Sequence, residues 1–164
     1  MAGVASHSMG RDSESGLITG ERLLDDVDRM IADAVRFGRP LSVAVAGLSA
    51  EGGPPDAADI LRVAGLIQSG VRTCDLAGRL DDGMFLLALS GTPARAAVTP
   101  LTRLQQEVAE LAPATSGGLR VAVGVAALSG LMSMEELVVR AIGLSDQAQQ
   151  RGPGMMCLDP EPAR

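Results

Sequence analysis

Residues 72–89, R-T-C-D-L-A-G-R-L-D-D-G-M-F-L-L-A-L, hold two apolar runs on either side of Asp82-Gly83. Asp-Gly between such runs is a strong hairpin signal, because a two-residue type I′ turn needs positive φ at both central positions. Leu80 precedes the turn, and Met84, Phe85, Leu86, Leu87 and Leu89 follow it. Strands are expected near 75–81 and 84–90. At the mouth of the hairpin stand Arg72 and Asp75, in an Arg-x-x-Asp spacing.

Upstream of the hairpin, Asp56 is placed to cap a helix reaching about Val71, with Ile60, Leu61, Val63, Ala64, Leu66 and Ile67 apolar. Before it, 49–55 is a Gly/Pro-rich loop, and 41–48, L-S-V-A-V-A-G-L, reads as a strand buried on both faces. From 19 to 37, Leu23, Leu24, Val27, Met30, Ile31, Ala34 and Val35 recur at helical spacing, with Thr19 as N-cap and Gly38 and Pro40 as stops. Residues 1–16 are small and polar, without periodicity, and read as a disordered arm, a linker or in part a vector-derived remnant. His7 falls there.

Downstream, Thr92-Pro93 reads as a cap followed by proline at the first helical position, opening a helix to about Ala112. Residues 119–128 form a strand pattern, Ser133 and Glu136 a capping box for a helix to about Gln150, and 155–158 a short edge strand. The expected domain runs over 17–158, with 159–164 as a tail. The order is helix, then β-α-β-β-α-β, then α-β. That is an α+β, ferredoxin-like, mostly antiparallel central sheet flanked by helices.

The composition narrows the function. The 164 residues are 46% hydrophobic but 1% aromatic, with no Trp or Tyr, which argues against a site that stacks bases on aromatic rings. A net charge of −6 argues against a nucleic-acid polymer or a membrane surface as partner, while a local Arg cluster still suits a small anion. Cys74, Cys157 and His7 are too few and too scattered for a Cys/His metal site. No apolar run approaches the roughly 18 residues of a membrane span, and a reducing cytoplasm is the expected setting.

From 16 to 158 the chain resembles a GGDEF domain, the diguanylate cyclase fold of bacterial signalling. Gly16-Leu17-Ile18-Thr19-Gly20 is similar to that family's opening D-x-L-T-G-L, and Gly38-Arg39-Pro40-Leu41 to its G-x-P-L. Arg79-Leu80-Asp81-Asp82-Gly83-Met84-Phe85 stands where the family has R-Y/L-G-G-D-E-F. Residues 119–126, L-R-V-A-V-G-V-A, resemble its V-T-x-S-I-G-V-A strand.

The departures fall on the chemistry. The family makes cyclic di-GMP from GTP with carboxylates that hold two divalent metals. Here the D-x-D at the first strand's end is Gly47-Leu48-Ser49, both signature glycines are aspartates (Asp81, Asp82), and the acidic pair is Gly83-Met84. The loop after 47 is shortened and the guanine-contacting Asn has no counterpart. Asp59 falls at the second guanine-contacting position, where it also reads simply as a first-turn acid favoured by the helix dipole. The late Lys is Gln149, and the following Arg and Asn are Pro153 and Gly154. The resemblance therefore implies no cyclase activity, no catalytic residue, and neither metal nor cofactor.

The family's product-inhibition motif, R-x-x-D, is matched by Arg72-Thr73-Cys74-Asp75 at the family's distance from the signature, and the site's further Arg by Arg103. Two guanidinium forks can chelate phosphate oxygens and guanine O6/N7, and a carboxylate can accept from guanine N1–H and N2–H. The resemblance thus implies a cyclic di-GMP receptor site at Arg72, Asp75 and Arg103, with a homodimer or a partner protein as output. The alternatives are a surface Arg–Asp pair on a nucleotide-free interaction domain, and an active nucleotide enzyme of the same fold.

Overall fold

The computed structural model describes residues 11–12, 15–111 and 118–160. His7, the end of the third helix at Ala112, most of the 1–16 stretch and most of the tail lie outside these residues. The elements are β1 (Ile18–Thr19), α1 (Gly20–Phe37), β2 (Leu41–Ala50), α2 (Ala57–Gly70), β3 (Leu76–Asp81), β4 (Met84–Ser90), α3 (Ala94–Glu110), β5 (Leu119–Ala127), α4 (Met134–Arg151) and β6 (Met156–Leu158). They form one six-stranded sheet in the order β1-β3-β4-β2-β5-β6. The four inner strands are antiparallel, and the edge strands β1 and β6 pair in parallel. This is the expected ferredoxin-like core with a strand added at each edge, an α+β fold.

Strand alternation explains the layers. Leu41, Val43 and Val45 of β2, with Leu86 and Ala88 of β4, face α1 and α4. Ala44, Ala46 and Leu48, with Phe85, Leu87 and Leu89, face α2 and α3. Both faces are covered, which is why β2 is a continuous apolar run rather than an alternating one. On β5 the α4 side carries Ala122, Gly124 and Ala126, and α4 answers with Ala141, Ser145 and Ala148, all buried. A Cβ added at Gly124 would overlap the backbone N of Ser145 and the carbonyl O of Ala141. The helix backbone therefore lies directly on the strand.

Local signals hold at most element ends. Gly38 closes α1 in the left-handed conformation (φ 61°, ψ 37°), and Arg39 N–H donates to Ala34 O at 2.9 Å. Asp56 Oδ1 caps α2 by accepting from Asp59 N–H at 2.8 Å. Ser133 and Glu136 form the reciprocal capping box of α4. Thr19 is the N-cap residue of α1 by position, but its side chain makes no capping bond.

One expectation needs correction. α3 starts one residue later than read: Pro93 is the N-cap and Ala94 the first helical residue. Thr92 does not cap because its hydroxyl donates to Ser90 O at 3.0 Å and accepts from Arg72 Nη2 at 3.0 Å. Contacts also begin before Leu17. Asp12 N–H donates to Leu17 O at 2.7 Å, and Asp12 Oδ2 accepts from Arg79 Nη1 at 2.9 Å.

Candidate functional site

The hairpin forms at Asp82-Gly83, with Gly83 at φ 71°. Gly83 O accepts from Leu48 N–H at 2.7 Å, so the tip docks on the end of β2, with Gly47 facing Met84 across the sheet. Gln149 lies over Gly47: a Cβ there would stand 2.6 Å from its Nε2. The structure thus gathers the positions of the altered signature, 47, 83, 84 and 149, in one place. Asp82 is 87% exposed and pairs with Arg79 Nη2 at 2.7 Å, while Asp81 Oδ1 accepts from Asp82 N–H at 2.7 Å. The two aspartates are engaged with the turn itself. Asp59 is buried in the first turn of α2, with Arg62 at 3.6 Å, away from the Arg72 pair.

The Arg72 pair sits elsewhere, at the mouth of a groove between α2 and α3. The cavity is about 650 Å³, and Arg72, Asp75 and Arg103 all line it. Its floor is apolar, from Leu87 and Leu89 of β4 and Leu101 and Leu104 of α3. One wall is a stripe of α3, Ala96, Pro100, Arg103 and Glu107, spaced to share a helix face. Pro100 has no N–H, so Ala96 O on that wall lacks its usual i+4 donor.

Within the groove Asp75 is the anchor. Its side chain is 3% exposed. Oδ2 accepts from Arg72 N–H and Nε, each at 3.1 Å. Oδ1 accepts from Arg72 Nη2 at 3.0 Å and Ser90 N–H at 3.1 Å, with Cys74 Sγ 3.8 Å away. Arg72 Nη2 also donates to Ser90 O at 2.8 Å and to Thr92 Oγ1. The hydrogen bond to Asp75, reinforced by its charge, raises the guanidinium pKa further above its usual value. Arg72 therefore stays cationic, its orientation fixed, with a side chain still 59% exposed. Arg103 is exposed and makes no hydrogen bond or ion pair with a described residue. The groove thus presents one fixed guanidinium, with Nη1 as the nitrogen no described residue engages, and one free cation above an apolar floor. Glu107, which also lines it, was not singled out from the sequence; its spacing of one turn from Arg103 was the available signal.

No family model matches the sequence, and no curated protein matches it. The fold is that of GGDEF domains. The GGDEF domain of DgcB from Caulobacter crescentus, solved in complex with c-di-GMP, is 18% identical over 92% of this chain and 95% of its own, with a TM-score of 0.81. The active GGEEF domain of a diguanylate cyclase from Vibrio cholerae is 19% identical over 89% of this chain and 99% of its own, with a TM-score of 0.76. Diguanylate cyclase SiaD of Pseudomonas aeruginosa, in complex with its activator SiaC, is 22% identical over 93% of this chain and 63% of its own, with a TM-score of 0.80. No helix among the described residues is long and apolar enough to cross a membrane.

Proposed function

We propose that this chain is a catalytically silent GGDEF-type domain that receives cyclic di-GMP in the α2–α3 groove, through Arg72, Asp75 and Arg103. The observation that carries the reading is the convergence of the Arg72–Asp75 pair and Arg103, from the other side of the hairpin in the chain, on one groove of about 650 Å³. Asp75 holds the Arg72 guanidinium so that its Nη1 is left to take a phosphate oxygen, while Arg103 takes a phosphate oxygen or guanine O6/N7. The DgcB domain, of the same fold, is held in complex with c-di-GMP. A dinucleotide with two bases also has a face to offer a second chain, and a ligand that binds a dimer better shifts the population toward it.

Catalysis is absent in this reading because positions 47, 83 and 84 are Gly, Gly and Met, with no carboxylate for a metal. Incubation with GTP and Mg²⁺ or Mn²⁺ should give no cyclic di-GMP above a protein-free control. Product that disappears on changing Asp81 or Asp82 would overturn that part. For binding, scanning calorimetry should show a midpoint that rises with cyclic di-GMP concentration, as for any ligand of the native state alone. Arg103→Ala should blunt the rise and Asp59→Ala should keep it; equal rises in both variants would contradict the site.

A second reading has its own observation. Leu131 is 96% and Val139 67% exposed, beside a shallow depression lined by Met132 and Arg140. Such a patch suits a protein partner. A nucleotide-free interaction domain would show no ligand-dependent midpoint.

A further inference from the structure

We infer that Glu107, and not Asp75, is the carboxylate that reads the base in the α2–α3 groove, and that it selects a 2-amino-6-oxopurine. The inference rests on the groove being the ligand site. A carboxylate has about four lone-pair positions. In Asp75 these are met by four N–H donors, from Arg72 N, Nε and Nη2 and from Ser90 N, at 3.0–3.1 Å. With its side chain 3% exposed, Asp75 has neither a free acceptor nor an open edge for a ligand. Freeing it would cost the Arg72 clamp and leave a buried charge without partners.

Glu107 is the opposite case. It lines the same groove, is half-buried, and makes no hydrogen bond or ion pair with a described residue. It stands one turn beyond Arg103, about 6 Å along the axis. Arg103 can thus take a phosphate oxygen or the O6/N7 edge while Glu107 meets the opposite edge of the same flat base. Guanine presents N1–H and N2–H there, two parallel donors that match a carboxylate. Adenine presents the N1 lone pair, which a carboxylate repels. The leucine floor accepts the base face without an aromatic ring. Asp75 is then a positioning residue, acting through Arg72.

The test titrates the unmodified chain, Glu107→Gln and Arg72→Ala with cyclic di-GMP and with cyclic di-AMP. Replacing a bidentate charged acceptor should weaken cyclic di-GMP by roughly ten- to a hundredfold in Glu107→Gln. Cyclic di-AMP should be unchanged or bind better, so the guanine preference collapses. Arg72→Ala should weaken both ligands together, since its remaining donors at Nη1 meet the phosphate that the two share. Unchanged or tighter cyclic di-GMP binding by Glu107→Gln would overturn the inference and leave the groove reading standing, as would a guanine preference that survives the substitution. If the unmodified chain binds neither ligand at high micromolar concentration, the groove reading fails and this inference with it.

Discussion

Arg72→Ala is expected to bind cyclic di-GMP roughly ten- to a hundredfold more weakly than the unmodified chain. The change removes a guanidinium that four acceptors hold in place: both Asp75 oxygens, Ser90 O and Thr92 Oγ1. Charge-assisted hydrogen bonds of this kind are worth about 1.5–3 kcal/mol, which sets the fold-change. Because the fork is already oriented, the unmodified site spends little side-chain entropy on binding. Arg72→Lys should recover only part of the affinity, since an ammonium keeps the charge but cannot hold Asp75, Ser90 and Thr92 and still offer donors to a ligand. Arg72→Ala also leaves the buried Asp75 carboxylate with only its two backbone donors, Arg72 N–H and Ser90 N–H, so the fold should lose stability as well. The expected signature is a lowered thermal midpoint together with weakened binding, the titration being run at a temperature where both proteins are folded.

Gly124→Ala is expected to destabilise the domain by about 3 kcal/mol or more. The added methyl meets backbone atoms of Ser145 and Ala141, and no flexible side chain can yield. To make room α4 must lift from β5, loosening Leu137, Val138 and Ala141 in the core beneath it. For a chain of this size, about 3 kcal/mol lowers the melting midpoint by roughly 6–12 °C. Denaturant unfolding should show a lower midpoint with an unchanged m-value. A midpoint within a degree of the unmodified chain would mean that α4 does not rest on the strand as described.

The sheet was legible because each strand carries its own mark. Asp82-Gly83 fixed the hairpin, and β2 and β5 are apolar on both faces because both faces are covered. The caps at Asp56 and Ser133 are local chemistry and needed no tertiary context. β1 was missed because its two residues are held by pairing with β3 and by a bridge from Ile18 to Arg11, neither of which leaves a local pattern. Thr92 was misassigned because its hydroxyl answers to Arg72, twenty residues away, rather than to its own helix. At the site, spacing and resemblance placed Arg72, Asp75 and Arg103 on one surface. Spacing gives no count of donors, so it does not show that Asp75 is saturated. Nor does it show that Glu107 shares the groove, which depends on how α3 is rotated over β4.

The most direct test of the central claim is a calorimetric titration of the unmodified chain with cyclic di-GMP, run beside Arg72→Ala. The account predicts saturable heat that is complete below high micromolar ligand for the unmodified chain, and an isotherm shifted by at least about tenfold in the variant. A flat titration, or identical isotherms for the two proteins, would contradict it.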